Sequence, residues 1–162
     1  MIVVIYLNKH QLIIYKDRDV QITKIVNSLY GLKPKLTESD YRRAFTELSH
    51  LQRKRSLIIF FTDLIDKESS QNLIKYVKSF HPRHTVLVVA FRDSEITTQA
   101  EQLPSDTAEL YDIAVARDLL YNRELALKEL RMGGAMTLDL YPEELTMRVV
   151  SEYLRLKSRQ TI

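Results

Sequence analysis

The sequence predicts one three-layer α/β domain across its 162 residues, with a mostly parallel sheet and an antiparallel edge hairpin. Three observations carry this. Two unbroken apolar runs, Leu57–Phe61 and Thr85–Phe91, are each followed by a polar break and then a helical segment. A continuous apolar run suits a parallel strand covered on both faces. A third, weaker run, Ala135–Leu140, again precedes a helical pattern, and this alternation of strand and helix selects a parallel sheet with helices on both faces.

The elements follow in order. Ile2–Leu7 and Leu12–Tyr15 are apolar runs joined by Asn8-Lys9-His10-Gln11, which reads as a hairpin with Asn8 in the turn. Val20–Leu32 reads as a short helix whose Ile22, Ile25, Val26 and Leu29 share a face, with Gly31 near its end. Tyr41, Ala44, Phe45, Leu48 and Leu51 mark a second helix, capped by Thr37 or Ser39. After the first long strand, a helix from about Glu68 to Phe80 buries Leu73, Ile74, Val77 and Phe80, and Pro82 prevents its continuation. Ser94–Pro104 reads as irregular. Asp106 and Glu109 form a capping-box pattern at the head of a long helix that Gly133-Gly134 stops after Met132. Pro142, with Glu143 and Glu144 behind it, opens the last helix, which turns Leu145, Val149, Tyr153 and Leu156 inward.

Composition removes several function classes. The chain has no cysteine, so disulfides, zinc-thiolate sites and thiol catalysis are excluded. No apolar run approaches the roughly 20 residues a membrane span needs, and MIVVIY lacks the flanks of a signal peptide. A cytoplasmic location is the expectation. The net charge of +3 falls short of a nucleic-acid footprint. The clusters Arg53-Lys54-Arg55 and Arg155/Lys157/Arg159 read as solvated helix ends.

Motifs are few. With only three glycines, the chain carries no phosphate loop and no dinucleotide fingerprint, and G-x-S-x-G is absent. His81 and His84 flank a Pro-Arg turn and read as a solvated pair. The segment SLIIFFTD delivers Thr62 and Asp63 to the carboxyl end of a strand, where open α/β sheets place their ligands. Asp63 there has two readings. In one it starts the next helix or accepts backbone donors. In the other it is an oxygen ligand for a hard dication such as Mg²⁺. The residues alone leave both open.

The stretches LYGLKPKLTESDYRRAF, RKRSLIIFFTDLID, HTVLVVAFRDSE and YPEELTMRVVSEYLRLKSR, taken in order, resemble the domain-of-unknown-function family 58 over essentially the whole chain. The resemblance implies a Rossmann-like, von Willebrand factor A-like sheet that often presents a metal-ion-dependent adhesion site. It implies metal ligands at Asp63, after Thr62, and at Ser39, before Asp40. The family's first strand and its D-x-S-x-S motif have no counterpart here, so the chain is expected to be N-terminally truncated relative to the family and its site incomplete. No cofactor is then expected, and Mg²⁺ or Mn²⁺ enters only if the missing motif is supplied.

Family members are frequently encoded beside MoxR-type AAA+ ATPases. The expected function is therefore a non-catalytic protein-interaction module with such an ATPase as partner, without nucleic acid or a membrane span in this chain. The alternative is a divalent-metal-dependent hydrolase using Asp63 with Asp93 or Asp66. The missing strand would leave a gap between Ile2–Tyr6 and Leu57–Phe61. Unpaired apolar edges invite association, so a homodimer that fills the gap is favoured over a closed-up monomeric sheet.

Overall fold

A computed structural model describes residues 2–6, 11–14, 41–51, 53–64, 67–81 and 83–158. It is a mixed α/β domain. Among the described residues five strands, β1 (Ile2–Tyr6), β2 (Gln11–Ile14), β3 (Leu57–Thr62), β4 (Thr85–Phe91) and β5 (Met136–Leu140), form one sheet in the order β2-β1-β3-β4-β5. β1, β3, β4 and β5 run parallel, and β2 pairs antiparallel with β1. The expected turn at Asn8, the helix Val20–Leu32, and the caps Thr37 and Ser39 lie outside the described residues.

The expected gap is closed. β1 lies directly against β3, with Ile2 opposite Leu57 and Tyr6 opposite Phe61. The facing edges of β1 and β3 thus find their ladder within the chain, which removes the motive for a homodimer that fills the space between them.

Among the described residues five helices flank the sheet: α1 (Tyr41–Leu51), α2 (Lys67–Phe80), α3 (Ser94–Glu101), α4 (Thr107–Met132) and α5 (Leu145–Ser158), with a 3-10 turn at Pro142–Glu144 ahead of α5. Side chains alternate across a strand, so β3 and β4 feed two cores. Ile58, Phe60, Val86, Val88 and Ala90 face α1, α2 and α4. Leu57, Ile59, Leu87 and Val89 face Leu156 of α5, with Leu145, Val149 and Tyr153 packed against them. The first core is pinned by Phe45 of α1, whose ring stacks on Phe60 at 4.7 Å and on Tyr76 at 4.8 Å and meets Phe80 edge-on at 5.0 Å. Pairs of this kind add about 0.5–1.5 kcal/mol each beyond area burial.

Four expectations change in detail. Ser94–Glu101, expected to be irregular, is α3, because Asp93 accepts a 2.8 Å hydrogen bond from the Glu95 amide and caps it. Pro142 opens a 3-10 turn, and α5 proper begins only at Leu145. Asp106 caps α4 by accepting from Glu109 N, but Glu109 Oε2 returns to Ser105, accepting from its amide and hydroxyl, so the reciprocal arm of the box reaches one residue further back. His81 is exposed, but His84 is 3% exposed and stacks on Phe80, so the pair is not solvated.

Candidate functional site

The carboxyl ends of β3, β4 and β5 lie side by side, since the three strands are parallel neighbours. β3 ends in Thr62, whose Oγ1 accepts from Leu64 N at 3.3 Å. That short turn places Leu64 at φ 53, the left-handed region a bulky side chain rarely adopts. Leu64 is nonetheless 4% exposed, its side chain drawn into the core beneath α2 and α4. Burial there holds the chain in a conformation it would otherwise avoid, a pattern associated with functional strand ends. The bend leaves the Asp63 side chain exposed and turns its carbonyl toward α4.

Arg123 of α4 meets that carbonyl. Its Nη1 donates to Asp63 O, and its Nη2 donates to Asp139 Oδ1 at 2.6 Å. Asp139 lies on β5, and its Oδ2 accepts from Arg92 Nε at 2.8 Å. Arg92 follows β4 directly, and its guanidinium sits 5.6 Å from the Tyr141 ring centroid. The result is a clasp that runs from β3 through α4 and β5 to the end of β4. Its Asp139 hydrogen bond, above all, raises Arg92 further above its ordinary pKa. Arg123 is 9% exposed, and its Nε is buried with no acceptor among the described residues.

Beside the clasp lies a cleft of about 350 Å³ walled by Leu64, α3 and α4. Arg92, Asp93, Arg123, Arg131 and Asp139 stand in its wall. This is the region where open α/β sheets bind ligands.

Ser39 and Asp66 lie outside the described residues. Asp63 is at the end of β3 as expected, with its carboxylate exposed. Asp93 is engaged as the cap of α3. A hard dication needs about six oxygen ligands, and among the described residues no three carboxylate, imidazole or thiol groups stand close enough to hold one. Arg123 brings its charge to the backbone of Asp63.

Arg123, Asp139 and Arg92 were not anticipated as a unit. The signal was present in two places. Ile113, Ala116, Leu120, Leu127 and Leu130 make an inner stripe on α4, and Arg123 interrupts it. Asp139 interrupts the apolar run of β5.

The geometry defines a class: an α/β domain whose parallel strand ends are tied by an arginine–aspartate–arginine clasp beside a ligand-sized cleft. The family described as Protein of unknown function DUF58 matches residues 2–124, and the chain belongs to that family. Neither a curated protein nor a solved structure matches it. Among the described residues no helix is long and apolar enough to cross a membrane.

Proposed function

We propose that the chain is a non-catalytic protein-interaction module that docks a MoxR-type AAA+ ATPase on the outer face of α4. The observation that carries this reading is that α4 is apolar on two sides. Its inner stripe, Ile113 to Leu130, is buried, and Ala126, Leu127 and Leu130 join the first core. Its outer residues Leu110, Tyr111, Val115, Tyr121, Leu125 and Met132 are exposed, Tyr111 by 71% and Tyr121 by 60%. At 100° per residue these six fall within an arc of about 140° on the far side of the helix. A surface helix ordinarily has one apolar stripe. A second, solvent-facing stripe rich in tyrosine has the composition of an interaction surface.

The partner class rests on the family resemblance. So does the fold name: we read the sheet as Rossmann-like and von Willebrand factor A-like. The order β2-β1-β3-β4-β5 supports that name, being what a doubly wound 3-2-1-4-5-6 sheet becomes when strand 1 is left out. On this reading Ser39 and Asp63 are the remnant of an incomplete adhesion site, and the module works without a resident metal in the cytoplasm beside its ATPase. Asp93 is engaged as the cap of α3 and Asp66 lies outside the described residues, so no observation favours the hydrolase reading.

The test is titration calorimetry of the chain against the co-encoded ATPase, with Tyr111→Glu/Tyr121→Glu as the comparison. The wild type is expected to bind and the double variant to lose most of that affinity while melting at the same temperature. An ATPase that ignores the wild type, or binds both equally, overturns the proposal.

A further inference from the structure

We propose that the edge of the sheet at the amino ends of β3, β4 and β5 is a docking face for an anionic lipid bilayer. This stands whether or not the outer face of α4 docks a protein.

The fold gathers at this edge basic residues that the sequence scatters. Arg53, Lys54 and Arg55 lead into β3, and Arg83 leads into β4. Thr85 N donates to Ser56 O at 2.9 Å, which sets the two approaches side by side. The Lys78 stem lies against Gly133, two residues past Arg131, where α4 ends and the chain turns toward β5. From the other face of the sheet α5 brings Lys157 and Arg155, whose Nη2 is 3.8 Å from Met136 Sδ. All eight of these cations are exposed.

Helix ends alone do not account for so much charge. α1, α2, α4 and α5 all finish at this edge, and each brings about half a negative charge there. Across their last turns and the described turns that follow, the eight cations meet one carboxylate, Glu129, while Glu152 pairs with Arg155 from further up α5. The two carboxylates and the four helix ends together offset about four cations, so about four remain in excess. The other end of the fold has the opposite sign, since from Asp93 to Ala116 the chain holds six carboxylates and no cation. The net charge of +3 thus hides a polarity along the strands that turns the basic edge toward a negative surface.

Shape chooses among negative surfaces. α1, α2 and α4 pack on one face of the sheet and α5 on the other. With layers roughly 10 Å apart, the cations spread over an area rather than along a line. A duplex backbone is followed by a basic stripe, and single strands need exposed aromatic rings to stack on. The exposed aromatic side chains of the described residues, Tyr111 and Tyr121, stand about three turns or more back along α4. Helix N-termini, which seat single phosphates, point to the opposite end. What remains is attraction to a plane of charge, felt within a Debye length and without a fitted pocket. Bound this way, the chain holds its clasp and cleft away from the lipid and leaves the outer face of α4 uncovered.

The test is co-sedimentation with phosphatidylcholine vesicles carrying roughly three-tenths phosphatidylglycerol in about 0.1 M NaCl. The chain is expected to pellet with these vesicles and to stay in solution with pure phosphatidylcholine. About 1 M NaCl, where the Debye length is about 3 Å, should release it. Arg53→Gln/Arg55→Gln should weaken binding about 25-fold, or about fivefold for each cation. Arg42→Gln/Arg148→Gln removes the same charge from the first turns of α1 and α5, at the opposite end, and should leave binding within about twofold. All four positions are exposed, so both variants should melt with the wild type. No pelleting with the anionic vesicles, pelleting undiminished by salt, equal pelleting with pure phosphatidylcholine, or equal losses in the two variants overturns the proposal. Tighter binding of a short DNA duplex at equal phosphate concentration overturns it in favour of nucleic acid.

Discussion

Asp139→Asn is expected to destabilise the domain by about 3 kcal/mol, and the structure apportions the loss. The substitution keeps the shape and one acceptor but removes the charge that two guanidinium groups share. The Asp139 side chain is 19% exposed and that of Arg123 only 10%, so their bond counts nearly in full. A charge-assisted hydrogen bond between largely buried groups contributes about 1.5–3 kcal/mol, and leaving the guanidinium without its counter-charge moves the loss toward the upper end. Arg92 is 46% exposed, so solvent screens its pairing with Asp139 and the share is under about 1 kcal/mol. Urea unfolding followed by circular dichroism should show an unchanged slope and a lower midpoint. Heating should lower Tm by roughly 6–12 °C, at about 2–4 °C per kcal/mol for a chain of this size. Arg123→Met provides the coupling test. With the guanidinium gone, Asp139→Asn should lose about 1.5 kcal/mol or more of its effect. A single-mutant loss below about 1 kcal/mol, or strict additivity in the double variant, would refute the view of the clasp as a coupled unit.

Three further outcomes follow from other parts of the fold. Gly134 has φ +89, and an alanine β-carbon there would overlap the His81 ring. Gly134→Ala should therefore cost about 1–2 kcal/mol in calorimetric melts, more than Gly133→Ala, where φ is negative and the β-carbon meets the Lys78 side chain at 2.8 Å and two backbone oxygens at 3.3 Å. Burial, and then the Arg83 charge, holds His84 below its ordinary pKa of 6.5. The unfolded chain takes up that proton first, so this contribution to stability is complete above about pH 6.5 and is lost as the pH falls toward the folded value. The urea midpoint should fall between about pH 7 and pH 5, with a shallower fall in His84→Phe; identical slopes would contradict the assignment. Direct pairing of β1 with β3 predicts a monomer of 19.0 kDa in light scattering, and twice that mass would restore the homodimer.

Most of the scaffold was legible because burial on both faces writes itself into composition. β4 needs apolar residues at every interior position, and Val86 to Ala90 supply them without a break. α2 announces itself through Leu73, Ile74, Val77 and Phe80, which all lie in the first core. α3 was illegible for the converse reason. Ala100 is its single fully buried residue, so no apolar stripe betrays the helical period. Its one local signal, Asp93 as N-cap, competed with a reading of the same carboxylate as a catalytic group. The closing of the sheet could not be read either. Strand order is a matter of which edges meet, and nothing in Ile2–Tyr6 specifies Leu57–Phe61 as its neighbour rather than a further strand.

The clasp shows how far a single sequence reaches toward a site. An arginine on the inner stripe of a helix is a local contradiction, because a buried guanidinium needs a counter-charge. An aspartate inside a strand is another, since Asp is depleted in strands. Each of Arg123 and Asp139 is visible alone, sixteen positions apart along the chain. A spacing of that size carries no periodic signature, so only the packing of α4 against β5 joins them. Arg92 is harder to see, since a basic residue just after a strand is ordinary loop chemistry until β5 brings Asp139 beside it. Local contradictions of this kind accumulate at functional or strained positions. Here they meet at the strand ends with the left-handed Leu64 and the unpartnered Nε of Arg123. Leu64 at φ 53 and Arg123 serve the same end: the first turns the Asp63 carbonyl toward α4, and the second holds it there while keeping one donor unused. Of the features at this edge, that donor is the one the internal packing of the described residues does not account for.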